Sequence, residues 1–190
     1  QRPTLPLPVN PFAGLPAQLR ELTSRRPLLL ASLGVMFFWS LASLVQMTVV
    51  SLTDELGVPK SASGELLAIV VLGVGSGSVL AAWMSRDRIE LGIVPLAVTG
   101  IVIFSIAIFL LTWGISPNNP RAAAALWRWL EALLFLQGAC AGAFNVPLDS
   151  CLQDRSPPEK RGEILSASNF LTFTGILACA GCFYVLKDVA

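Results

Sequence analysis

Five stretches of this chain are long, apolar and almost free of charge, and they leave few folds open to it. They are residues 28–50, 66–84, 91–115, 122–148 and 164–186. The first, at 1.5 Å rise per residue, makes a helix of about 34 Å, enough to cross a hydrocarbon core of about 30 Å. Soluble helices rarely stay apolar on every face for so long, and five in succession exclude a buried-core explanation. Only 13% of the residues are charged, against about 25% in soluble domains, and those charges cluster between the runs. The sequence therefore predicts an all-α, polytopic membrane protein with five transmembrane helices. Ahead of them, residues 1–27 hold six of the thirteen prolines. They read as an extended cytoplasmic linker with one helical turn around Pro16 to Leu22.

Lys and Arg set the expected orientation. Arg2, Arg20, Arg25, Arg26, Arg86, Arg88, Arg155, Lys160 and Arg161 fall on one side of the bundle, and Lys60, Arg121, Arg128 and Lys187 on the other. This bias predicts a cytoplasmic N-terminus and an external C-terminus. No charged-then-apolar leader with a small-residue cleavage site opens the chain. Because it begins on Gln, the chain is expected to be a piece of something longer.

Several chemistries lose their usual residues. Histidine is absent, which removes Ser-His-Asp and Cys-His catalysis and HExxH zinc sites. Cys179 and Cys182 form a single C-x-x-C inside an apolar run, where small packing residues are the better reading, as for Cys140 and Cys151. No metal or other cofactor is implied. A net charge of +1 gives no reason to expect a nucleic-acid partner.

Small residues mark expected helix contacts. Gly73, Gly75, Ser76, Gly77 and Ser78 crowd the second run, Gly138 and Gly142 stand at G-x-x-x-G spacing in the fourth, and Gly175 and Gly181 lie in the fifth. In lipid such positions let backbones approach. The "GVGSGS" run lacks the third glycine of a dinucleotide loop and lies mid-span, so it is not a nucleotide site.

Polar side chains inside the runs are the candidates for function. Trp39 and Gln46 in the first, Gln137, Asn145 and Asp149 in the fourth, and Asn169 in the fifth are candidates for lining a substrate path. Amides and acids at membrane depth are costly unless they face protein or water. The alternative for each is an interhelical hydrogen bond. Gln137, Asn145 and Asp149 recur at multiples of four residues, which keeps them near one helix face. Arg128 and Glu131 can pair across a turn, and with Trp127 and Trp129 they read as an interfacial belt. The loop "MSRDRIELG", with Arg86, Asp87 and Arg88, is too short for anything but clamping two helix ends.

The segment "FNVPLDSCLQDRSPPEKRG" combines an apolar ending with a compact charged connector. Pro147 deletes one helical N–H and should loosen the helix near Ala143. Asp149 and Gln153 then fall at the membrane boundary. Pro157 and Pro158 stop the helix, Glu159, Lys160 and Arg161 lie at the surface, and Gly162 is expected to free the backbone before the next run. The stretch reads as a stiff cytoplasmic hinge and gate, with Gln153, Arg161 and Gly162 in it.

Taken together, "GVMFFWSLASLVQ", "GSVLAAWMSRDRIELG" and "GAFNVPLDSCLQDRSPPEKRGEILSASNFLTFTG" resemble the seventh helix, the loop after the eighth, and the tenth-to-eleventh helix region of a major facilitator superfamily transporter. The last run is similar to the bacterial lysophospholipid transporter branch, with Ser166 where that pattern has Ala. The likeness covers about residues 26–186. It implies most of the C-terminal half of a major facilitator fold, without its twelfth helix and without the N-terminal half. It also implies a place in the bacterial inner membrane, an amphiphilic lipid substrate, and a parent that can be fused to an acyltransferase. The chain itself cannot transfer acyl groups by a His-x4-Asp motif, since it has no His. Three rivals stand beside lysophospholipid transport: movement of another small solute or drug, a non-transporting membrane anchor for a fused enzyme, and an integral membrane enzyme. The last lacks any convergent catalytic set.

Overall fold

Residues 14–85, 91–113 and 120–189 are described by the computed structural model, and among them the only regular elements are six helices. These are α1 (Leu15–Ser24), α2 (Arg26–Glu55), α3 (Lys60–Met84), α4 (Ile93–Trp113), α5 (Pro120–Arg155) and α6 (Arg161–Val189). The last five are long and apolar enough to cross a membrane, as the uncharged runs predict.

The helices do not stop where the charges begin. α2 runs past residue 50 to Glu55, α3 starts at Lys60, and α5 continues from the expected end at 148 to Arg155. Helical backbone hydrogen bonds do not depend on the polarity of the side chain, so a charged residue ends the apolar run, which the hydrocarbon demands, without ending the helix. The end of α2 shows what does end one. Gly57 takes φ 62°, its N–H donates to the Asp54 carbonyl at 3.1 Å, and the Val58 N–H reaches back to Thr53 at 3.2 Å. This is a Schellman cap, and glycine fills its left-handed position without strain.

Three expectations need correction. The N-terminal segment contains a ten-residue helix, α1, where a single turn was expected. Pro16 sits at its first turn, where a missing N–H removes no bond. Gly162 frees nothing. It is the second residue of α6, and Gly57 is the only glycine with positive φ among the described residues. The turn is made earlier, by Pro157 and Pro158 between Ser156 and Lys160, with the Ile164 N–H bonded to the Lys160 carbonyl at 3.0 Å. Finally, Arg128 and Glu131 are not paired; among the described residues the ion pairs both involve Glu21.

α2 and α5 form the axis of the bundle. Three apolar clusters are stacked along them. At one end Leu28, Ala31, Leu152, Ile164 and Ala167 surround Leu22 of α1. In the middle Val35 and Phe38 meet Ala97, Ile101, Phe144 and Leu148. At the other end Val49 packs with Leu66, Leu130 and Leu134. α3 and α4 lean on α5, whereas α6 leans on α2 and touches α5 at only a few points.

α3 and α5 make the closest approach. A Cβ on Gly73 or Gly77 would run into the carbonyl oxygens of Phe135 or Ala139, and one on Gly138 or Gly142 into those of Val70 or Val74. The glycines of each helix thus lie against the carbonyls of the other, with four-residue spacing on both. This is the small-xxx-small geometry of membrane helix pairs.

Candidate translocation site

α5 carries two of the candidate polar groups in direct contact. Asn145 and Asp149 are one turn apart on a helix, so their side chains lie nearly one above the other. The Asn145 Nδ2 donates to Asp149 Oδ2 at 2.7 Å. The other amide atom, Asn145 Oδ1, is buried and accepts no hydrogen bond among the described residues. Between them Pro147 is fully buried within the helix. Because it has no N–H, the Ala143 carbonyl loses its usual donor. Within two turns, then, α5 presents a carboxylate, an unanswered amide oxygen and a carbonyl without its helical partner. Such a cluster, half-buried on a membrane-spanning helix, is expensive unless it meets water, a ligand or another protein surface.

Gln137, two turns earlier, is engaged elsewhere. Its Nε2 donates to Ser105 Oγ of α4 at 2.7 Å, and only 7% of the residue is exposed. It ties α4 to α5 at the floor of a groove of about 290 Å³ between α2 and α4, lined also by Leu41, Leu44, Thr48 and Ile108. Ser105 was not legible as a site residue: a lone serine in an apolar run gives no sign of its partner.

The remaining candidates scatter. Trp39 is 48% exposed, with its ring edge-on to Phe38 at 5.3 Å. Gln46 on α2 and Asn169 on α6 are exposed, as are Gln153 near the end of α5 and Arg161 and Gly162 at the start of α6. The structure brings Asn145 and Asp149 together and leaves Trp39, Gln46 and Asn169 on open helix faces. Arg86, Asp87 and Arg88 lie outside the described residues.

Beside Leu148 the bundle opens a second groove, of about 510 Å³ between the starts of α2 and α4, with Arg26 and Arg155 at its rim. Its floor includes Phe144 and Leu148. The ring of Phe144 meets Phe37 edge-on at 6.1 Å.

At the far end of the connector, Lys160 Nζ lies 2.9 Å from Glu21 Oε2, and Arg25 Nε lies 3.6 Å from Glu21 Oε1. The hydrogen bond from Lys160 holds the Glu21 carboxyl below its ordinary range, aided by the charges of Lys160 and Arg25 and opposed by partial desolvation.

A family model for the Major Facilitator Superfamily matches residues 2–184. Comparison with curated proteins and with solved structures found no match.

Proposed function

Because the chain belongs to the major facilitator superfamily, whose members are multi-pass membrane transporters, we propose that it forms part of a path for a lysophospholipid across a bacterial inner membrane. The observation that carries this reading is the Asn145–Asp149 pair around the buried Pro147. It is a polar pair on the same helix that, through Phe144 and Leu148, lines an apolar groove with two arginines at its rim. An amphiphile has both kinds of surface. Its apolar chain suits a floor of Phe144 and Leu148, and its phosphate suits arginine.

Alternating access would rock this bundle against an N-terminal half around the cluster. On this reading the N-terminus is cytoplasmic and the parent can carry a fused acyltransferase. The carboxyl group of Asp149 holds Asn145 in place and gives the path an ionisable group at its boundary.

The test is uptake of labelled lysophosphatidylethanolamine into vesicles carrying the full-length protein. Asp149→Asn keeps the shape and removes the charge, so insertion should stay near normal while uptake falls about tenfold or more. Uptake equal to the unmodified protein would reduce Asp149 to a structural group. Uptake of unrelated small solutes at the same rate would remove the lipid reading.

A further inference from the structure

Glu21 and Lys160 are 139 residues apart in sequence and joined at 2.9 Å, a contact that transport by itself does not require. α1 sits across the corner where α5 turns into α6. Its Leu22 has no exposed surface and lies among Leu28 and Ala31 of α2, Leu152 of α5, and Ile164 and Ala167 of α6. Leu19, one turn earlier, packs on the same cluster. Side chains of three spans therefore share one cluster with the buried Leu22 of a short helix.

The joint between α1 and α2 is a single residue. Arg25 is extended, with φ −119° and ψ 99°, and separates two helices that otherwise run end to end. An element with one hinge residue, one apolar pin and one charged clasp can lift as a unit. Lifting it would uncover Leu22 and Ile164 and release Lys160 from Glu21. Few direct contacts would then remain between α5 and α6.

We propose that α1 is a strap that holds the α5–α6 corner against the start of α2, and that its release lets α6 move relative to α5. Leu22 is the pin and Glu21–Lys160 the clasp. The charged connector supplies the anchorage for that clasp. Ser156, buried at the corner and bonded to the Leu152 carbonyl at 2.5 Å, stiffens the anchorage. This holds whatever the substrate, and it does not depend on the lipid reading.

Hydrogen exchange on the full chain in lipid nanodiscs tests it, with residues 160–167 as the reporter. Leu22→Ala should raise exchange there by about tenfold or more, because a buried leucine is replaced by a void. Exchange in the α3–α5 contact should stay unchanged. Glu21→Lys should raise exchange at residues 160–167 a few-fold, and adding Lys160→Glu should restore most of the protection. The charge pair keeps the test sound if Leu22→Ala fails to insert. Protection at residues 160–167 unchanged by both single variants would overturn the strap. So would a rise of equal size in every helix, since α1 would then be one more part of a single cooperative unit.

Discussion

Between α3 and α5 two backbones touch; between α2 and α6 side chains stand in the gap. In the first contact four glycines lie against four carbonyls. In the second, Gly175 faces the Met36 side chain and the Ser40 hydroxyl. The polar groups differ as well. Ser32 and Ser40 on α2 and Thr172 on α6 are buried hydroxyls without hydrogen-bond partners among the described residues. Ser76 on α3, by contrast, bonds back to the Gly73 carbonyl at 2.8 Å. A backbone cannot swing aside as a side chain can, so the α3–α5 contact has one arrangement. The α2–α6 contact has movable parts and unanswered hydroxyls that a shifted arrangement could satisfy. Rigidity lies on the α3 side of the bundle and freedom on the α6 side.

Matched glycine replacements would break or sharpen this contrast. Gly77→Ala should have the largest effect, a loss of about 3 kcal/mol or failure to assemble, because its Cβ meets the Ala139 backbone. Gly75→Ala, two residues away with nothing within 4 Å, should gain up to about 1 kcal/mol from helix propensity. Thermal unfolding in one detergent measures both. Equal midpoints would mean that α3 and α5 are not in backbone contact.

Gly175→Ala should fall between them. Its Cβ would press on Met36 Cγ at 2.6 Å, an atom of a flexible side chain that can turn away. A change within about 1 kcal/mol is expected once the propensity gain is included. A loss as large as that of Gly77→Ala would show the α2–α6 contact to be as fixed as its counterpart.

A smaller effect, and one of opposite sign, is expected of Ser40→Ala. Removing a buried hydroxyl without a partner should raise the unfolding midpoint by the equivalent of about 1 kcal/mol. If it lowers the midpoint instead, that hydroxyl is bonded in the working protein and the freedom assigned to α6 is overstated.

The smallest expected effect is that of acid. Glu21 is held below the ordinary 4.5 by the Lys160 hydrogen bond first and by the charges of Lys160 and Arg25. A carboxylate with a depressed folded pKa adds stability above its unfolded value and loses it as pH falls through the folded one. Exchange at residues 160–167, taken relative to the intrinsic rate at each pH, should therefore begin to rise only below about pH 4.5. The rise should be slight, because the pair is open to solvent. On the same relative scale, exchange in α3 should stay flat over that range.

How far these differences can be read in the sequence depends on their range. The five spans are legible because a lipid-facing helix must be apolar over its whole length. Gly138 and Gly142 announce a helix contact by spacing alone, and Gly73 and Gly77 repeat it. The Asn145–Asp149 bond is a local i,i+4 relation and legible for that reason. Its unanswered amide oxygen is not, since that depends on what lies around it. Gln137 shows the limit most clearly. Its spacing puts it with Asn145 and Asp149, yet Ser105, 32 residues back on another helix, takes its amide. The depth of Leu22 is hidden for the same reason, because every residue that buries it outside its own helix comes later in the chain.

α5 has one more consequence, and it follows from length alone. At 36 residues it measures about 54 Å, and even tilted by about 20° it projects about 51 Å along the membrane normal. A hydrocarbon core of about 30 Å cannot contain it. Arg128 and Glu131 fall near its first third and Arg155 at its last residue, so the excess lies mostly at the Pro120 end, opposite α1. There the helix stands out of the bilayer as a post. Because the same rod carries Asn145 and Asp149 further down, its angle outside the membrane is a pointer to what happens inside. A spin label or an antibody fragment on that post would read the tilt of α5 from outside the membrane.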